Sequence, residues 1–199
     1  MDCTPCTPQL DALIAQDEAW ALAWSQLPQR RLTAGQRLLS QGSSVRSAWR
    51  IKKGLVRAYY LSADGRERNR SFCGELEWIA AGVPPQVSSS PFSVEALEQT
   101  VLIELPYTQL QDWLTREGLV QRQLLEALTM RFCRSADRES DLLLLDAASR
   151  YRAFLDEYGA LASRIPLHHV ASYLGITGVA LSRIRTRLGL SRSRTKAPA

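Results

Sequence analysis

Apolar residues Leu10, Leu13, Ile14, Trp20, Trp24 and Leu27 recur at helical spacing near the start of the chain, and Pro28 stops the run. The pattern predicts a helical lead-in. Between residues 31 and 105 the period changes, and the segments AWRI, LVRAYYL, FSVEAL and TVLIEL are rich in β-formers. Turn signals at Ala34-Gly35, Gln41-Gly42, Lys53-Gly54 and Asp64-Gly65 divide them. Many short strands at near-regular spacing predict a small antiparallel barrel or sandwich. From Tyr107 the pattern is helical again. Residues 119–145 carry Leu124, Leu125, Leu128, Phe132, Leu142 and Leu145 with few breakers, enough for a helix of ~40 Å at about 1.5 Å per residue.

A helix of that length needs a surface to lie against. One reading packs it wholly on its own barrel. The other makes it a two-fold seam, because Leu125, Leu128, Phe132, Ser135, Glu139 and Leu142 follow a three-and-four spacing with polar interruptions. Glu139 in such a seam requires a cation, which Arg134 or Arg138 of a second copy supplies. The dimer is the favoured expectation.

Further on, Asp146 is placed to cap a helix with Ala147, Tyr151, Phe154, Leu155 and Tyr158 on one face, ended by Gly159. Ile165-Pro166 then opens LHHVASYLGITGVALSRIRTRL, residues 167–188, which reads as two short helices meeting at one glycine. Leu167, Val170 and Leu174 line one face of the first, and Ala171 is small enough for a second helix to cross closely. Gly175 supplies a left-handed turn, Ile176 plugs the corner and Thr177 caps the second helix. This is the pattern of a helix-turn-helix. With Leu181, Ile184 and Leu188 inward, the opposite face carries Val179, Ser182, Arg183 and Thr186. Arg183 suits guanine O6 and N7, and Val179 a thymine methyl. An ordinary helical hairpin with a solvated arginine face is the competing reading.

Charge distribution weighs against that alternative. The 199-residue chain has a net charge of +5. Residues 1–145 carry 16 Lys plus Arg against 17 Asp plus Glu, whereas residues 146–199 carry 9 against 3. The basic surplus lies in the C-terminal quarter, where a polyanion is the natural partner. Arg187, Arg192, Arg194 and Lys196 follow the hairpin without one carboxylate. Double-stranded DNA is therefore the expected ligand, contacted by Thr177, Gly178, Val179, Ser182, Arg183, Thr186, Arg187, Arg192, Arg194 and Lys196. No apolar run approaches the ~18 residues of a membrane span, and the N-terminus has neither a charged nor an apolar leader region. A cytoplasmic protein with its four cysteines reduced, and no membrane partner, is expected. Enzyme readings lack a Gly-rich phosphate loop, a carboxylate pair in catalytic context, or a nucleophile near a histidine outside the hairpin.

The order of parts, and VASYLGITGVALSRIRTRL in particular, resembles the Crp/Fnr family of bacterial transcription regulators. LTAGQRLLSQGSSV, IKKGLVRAYYLSADGRER, FCGELEWIA, FSVEALEQTVLIELPYTQL and LDAASRYRAFL extend the resemblance over nearly the whole chain from about Asp17. It implies an α+β protein. A jelly-roll-like β-barrel of the cyclic-nucleotide-binding type is expected over residues 1–116, with its helical lead-in. A long dimerisation helix over 117–145 and an all-α helix-turn-helix domain with a basic tail over 146–199 follow. A homodimer seam at Leu125, Leu128, Phe132, Glu139 and Leu142 is implied, with RNA polymerase a further candidate partner.

The chain departs from the family in ways that change the chemistry. Family nucleotide sites carry a Gly-Glu-Leu whose Glu takes the ribose hydroxyls, then an arginine that neutralises the cyclic phosphate. Here Gly74-Glu75-Leu76 is followed by GVPPQVSSSPFSV, which has no basic residue. A buried phosphate without a cation is expensive, so cAMP or cGMP in the usual pose is not expected. The expected pocket is Gly74, Glu75, Leu76, Ser88, Ser89, Ser90 and Ser135, with Ser135-Ala136 where the family's long helix reaches the purine, and the effector unidentified. Gly178-Val179-Ala180 stands where many members have Arg-Glu-Thr. With 11 residues after Leu188 there is little room for a β-hairpin wing, so a flexible basic arm is expected. Some members hold an iron–sulfur cluster on N-terminal cysteines. Cys3, Cys6, Cys73 and Cys133 match the count of four ligands but not the expected arrangement, so no cluster and no metal is expected. His168 and His169 read as a surface pair near phosphate rather than ligands. The alternatives are a ligand-sensing or protein-interaction module with degenerate DNA binding, and a cysteine-based redox sensor.

Overall fold

The computed structural model describes residues 18–116 and 118–190. It divides into two compact units, with the boundary between Arg138 and Glu139. The first described element of the N-terminal unit is α1 (Glu18–Ser25), in the latter part of the expected lead-in, whose Leu10, Leu13 and Ile14 lie outside the described residues. Ten strands follow: β1 (Gln29–Leu32), β2 (Arg37–Leu39), β3 (Ser44–Val45), β4 (Ser47–Lys53), β5 (Val56–Leu61), β6 (Glu67–Cys73), β7 (Trp78–Ile79), β8 (Ser88–Ser89), β9 (Ser93–Ala96) and β10 (Thr100–Pro106). Two helices complete it, α2 (Tyr107–Arg116) and the first part of α3 (Gly118–Leu144).

The strands form antiparallel sheets in the orders β1-β10-β4-β7 and β2-β9-β5-β6, with β3 and β8 as a separate pair. Leu32, Ile51 and Leu102 of the first sheet join Leu39, Val56 and Val94 of the second in one core. The arrangement is jelly-roll-like, but the ladders do not close into the expected barrel. The chain crosses between the sheets at Gly54. There the chain leaves β4 in one sheet for β5 in the other with φ +111°, and a Cβ on Gly54 would collide with the backbone of Thr100. Only glycine allows that approach.

Along β5 the burial does not alternate: Val56, Arg57, Ala58 and Tyr59 are all buried. Val56 and Ala58 belong to the shared core, and Arg57 lies between them in sequence. Its Nε and Nη2 donate to Glu95 Oε1 on β9 at 3.1 and 3.0 Å. Nη1 donates to Asn69 Oδ1 on β6 at 3.2 Å and pairs with Glu67 at 2.7 Å. The guanidinium also lies 4.1 Å from the Tyr59 ring centroid. A buried cation is tolerable only when so compensated, and this one ties three neighbouring strands together. Arg57→Ala leaves Glu95 without its cation and should destabilise the unit by about 3–5 kcal/mol in urea unfolding. The paired change Arg57→Met with Glu95→Gln should recover most of that loss. Equal losses from the single and paired changes would mean that the ion pair is not what holds β5.

Cys73 ends β6 inside the core. Burial, reinforced by the Glu77 carboxylate, pushes its thiol from 9.0 up to about 11. A neutral thiol favoured by folding stabilises the folded state fully below pH 9, and that contribution fades as pH rises toward 11. Cys73→Ala should therefore flatten the loss of stability between those limits. In native protein at pH 8, alkylation should spare Cys73 and proceed there only in denaturant. Rapid labelling of folded Cys73 would contradict its placement.

The C-terminal unit contains the end of α3, then α4 (Ala147–Tyr158) and a short 3-10 turn (Gly159–Ser163). Two further helices follow, α5 (Leu167–Leu174) and α6 (Gly178–Arg187). Asp146 caps α4 as its position suggested, accepting from the Ser149 N–H at 2.7 Å. That bond holds its carboxyl below the usual range. Gly159 ends the helix. The core is aromatic: Phe154 lies 4.9 Å from Tyr158 and 5.4 Å from Tyr173, centroid to centroid. Tyr173 was missed in the α5 pattern, whereas Leu167, expected on the inner face, is exposed. It begins α5, before the helix reaches the aromatic cluster.

Candidate nucleic-acid interface

The hairpin of α5 and α6 is set by its connection. Gly175 is left-handed at φ 70°, and its N–H reaches back to α5 carbonyls. Ile176 N–H then bonds to Ala171 O at 3.0 Å. Thr177 caps α6 through its hydroxyl, which accepts from Ala180 N–H at 3.2 Å. Val170, Ala171 and Leu174 of α5 are buried, as are Leu181 and Ile184 of α6. Two helices of eight and ten residues are too short to persist alone, so this shared burial holds them.

Packing one face of α6 fixes what the other presents. Gly178, Val179, Ser182, Arg183, Thr186 and Arg187 are all exposed, together with the capping Thr177. Thr186 donates its hydroxyl to the Ser182 backbone O at 3.1 Å, which holds the threonine side chain against the helix. Arg185 behaves differently from its neighbours. It turns inward, donating to the Tyr151 hydroxyl at 2.6 Å and to Leu190 O at 2.9 Å. It fastens α6 to α4 and to the chain beyond it, a role the sequence reading did not assign. Arg192, Arg194 and Lys196 lie outside the described residues. His168 and His169 sit 3.9 Å apart on α5.

No described side chain of α3 is buried. Leu125 and Phe132 are 66% and 74% exposed, and Glu139 is exposed too. Leu128, expected beside them, instead lines a cavity of its own unit. Leu142 is exposed as well, its Cδ2 3.9 Å from where a Cβ on Gly175 would sit. The helical period explains the split, since Leu128 lies about 40–60° around the axis from Leu125 and Phe132.

The residues expected to form an effector pocket lie on three segments. Gly74–Leu76 is a turn between β6 and β7: the Glu75 carboxylate accepts the Gly54 N–H at 2.9 Å, and Leu76 N–H bonds to Ile51 O at 2.8 Å. Glu75 is thus occupied in fixing the crossing between sheets. Ser88 and Ser89 pair with β3, and the Ser90 hydroxyl donates to Phe92 O. Ser135 is exposed on α3. Of the seven, only Leu76 lines the cavity. Two of the four cysteines fall among the described residues. Cys73 is buried in the core, Cys133 lies on α3, and Cys3 and Cys6 lie outside the described residues. Among the described residues no group of His, Cys, Asp and Glu is arranged to hold a metal, and no helix is long and apolar enough to cross a membrane.

Residues 29–117 match the cyclic nucleotide-binding domain family. The chain is 24% identical over 197 residues to the transcriptional activator protein Anr of Pseudomonas protegens, covering 93% of this chain and 78% of that protein. Among solved structures, FixK2 from Bradyrhizobium japonicum superposes with a TM-score of 0.75 at 20% identity, covering 82% of this chain and 84% of that one. The catabolite activator protein of Thermus thermophilus is 26% identical with a TM-score of 0.55, covering 91% and 87%. These relatives are regulators of transcription, not enzymes. The similarity runs through jelly-roll unit, long helix and capped helix-turn-helix alike, and over nearly its whole length the chain is similar to transcription regulators of the Crp/Fnr kind.

Proposed function

We propose that the chain acts as a homodimer that reads an inverted-repeat DNA operator through α6. The observation that carries this reading is the segregation of α6: Leu181 and Ile184 are buried, while Val179, Ser182, Arg183 and Thr186 form one exposed strip. A strip of that width fits the major groove, and Arg183 has the reach and geometry for a bidentate guanine contact. The dimer is supported by α3. An exposed Leu125 and Phe132 one heptad apart are what a two-fold helix pair would cover. Glu139, also exposed, falls on the same side. We further infer that the N-terminal unit holds neither cAMP nor cGMP in the family's usual pose. One oxygen of the Glu75 carboxylate accepts the Gly54 N–H, and no cation follows it in residues 77–94 to meet a phosphate. An effector would act by binding one of two arrangements of paired α3 helices more tightly than the other.

Leu125→Asp with Phe132→Asp should leave the N-terminal unit folded by circular dichroism and shift sedimentation from dimer to monomer. A dimer that survives both changes would place the interface elsewhere.

Arg183→Ala should weaken binding to the selected operator by about 1–3 kcal/mol and blur preference at one base pair per half-site, with little effect on random DNA. Deleting residues 191–199 should instead weaken specific and random DNA alike. It should also flatten log K against log salt by about 0.9 for each phosphate no longer neutralised. Selection from random DNA should return half-sites about one helical turn apart. Absence of an inverted repeat, or identical behaviour of the two variants, would leave a ligand or protein-binding module as the better reading.

A further inference from the structure

The N-terminal unit contains an apolar cavity of about 180 Å³. Four of the chain's five tryptophans line it: Trp20 and Trp24 from α1, Trp78 from β7 and Trp113 from α2. Trp20 meets Trp113 edge to face at 4.9 Å between centroids, and Trp24 meets Trp78 at 5.9 Å. Leu124, Ala127 and Leu128 of α3 close the far side, and its mouth includes the exposed Leu76 and Arg134. An engineered apolar cavity of roughly 150 Å³ takes up benzene, so this space suits one small ring system. Indoles brought together from three elements give such a ring extensive contact.

The cavity has one charged end. Arg131 donates to Trp78 O at 3.0 Å, and Arg134 pairs with Glu77 at 3.0 Å. Two guanidiniums against one carboxylate make that end electropositive, and it is bounded by apolar walls that strengthen the field. We propose that the cavity binds a small aromatic monocarboxylate, with its ring among the tryptophans and its carboxylate at Arg131 and Arg134. Glu77 competes for the same arginine, so the incoming acid replaces one carboxylate by another rather than burying an uncompensated charge. Leu124, Ala127, Arg131 and Arg134 recur every three or four residues along α3, roughly 90° or more around the axis from Leu125 and Phe132, with Leu128 at the edge between the two faces. Occupancy therefore bears directly on the helix whose other side is exposed. The site belongs to the N-terminal unit alone and does not depend on the DNA-binding reading.

The full-length chain titrated with 2-naphthoate should show a saturable change in tryptophan emission, with calorimetry giving one ligand per chain. The neutral analogue 2-naphthylmethanol should bind at least about ten-fold more weakly, the equivalent of ~1.4 kcal/mol for the charge-assisted contact. Glu77→Gln should tighten naphthoate and leave the alcohol unchanged. Ala127→Phe, checked for folding by circular dichroism, should fill the space and abolish both. The proposal is overturned by absence of saturable binding, by equal affinity for acid and alcohol, or by a folded Ala127→Phe variant that binds as before. Binding that appears only after removal of residues 1–16 would assign the cavity to the chain's own N-terminal segment, which also overturns it.

Discussion

Everything in the chain hangs on a helix that it does not bury. α3 runs 27 residues, yet none of its described side chains is buried. Isolated helices are marginal in water, because propagation adds little per residue once a costly nucleus has formed. α3 must therefore be held from outside. Part of the support comes from its own unit: Arg134 pairs with Glu77, Arg131 reaches Trp78 O, and Arg138 donates to Asn69 O at 3.0 Å. These bonds engage one side. Leu125 and Phe132 on the other remain in water, and exposed apolar surface of that kind contributes at about 25 cal/mol per Å² once covered. In the proposed dimer, helix stability and association become one equilibrium. Anything that alters the side of α3 held by its own unit then alters its fitness for a partner.

How much of this was legible in the sequence depended on how local the controlling interactions are. The α5–α6 hairpin was readable because Ala171, Gly175 and Thr177 carry out their roles within a few residues of one another. Asp146 and Gly159 bound α4 for the same reason. Strand segments were readable from composition, but their assembly was not. The crossing at Gly54 depends on Thr100 and on Glu75, neither of which is its neighbour in sequence. That same bond gives Glu75 of Gly74-Glu75-Leu76 a partner, an amide from another turn, that the triplet alone does not suggest. Nor could spacing reveal the tryptophan cavity, since α1, β7 and α2 meet there only after folding. Five tryptophans in one chain were a signal, and Trp20 and Trp24 one turn apart were its local part.

The two units treat arginine in opposite ways. In the sheets, Arg57 is surrounded by Glu95, Glu67 and Asn69, and its charge is spent on cohesion between strands. On α6 three arginines stand within five positions and divide by helical phase. Arg185 bonds to Tyr151 and to Leu190 O, fixing the helix against its own core, whereas Arg183 and Arg187 are exposed. The rigid inward arginine limits how far α6 can rotate, and so where the outward ones point. Pre-positioning of this kind lowers the entropic cost when a side chain meets a base.

The reading strip itself is sparse. Gly178 and Val179 offer no side-chain donor, so each half-site would be discriminated chiefly by Arg183, Ser182 and Thr186. One bidentate pair supplies about 1–3 kcal/mol of discrimination, which is modest against the excess of random DNA. Two-fold symmetry doubles that contribution in the exponent, because both half-sites must match in one event. A weakly specific helix on a dimer can then be as selective as a strongly specific one on a monomer, provided the spacing between recognition helices is held. On this reading the bare α6 and the unburied α3 are parts of one design, in which specificity disappears with the helix pair and returns with it.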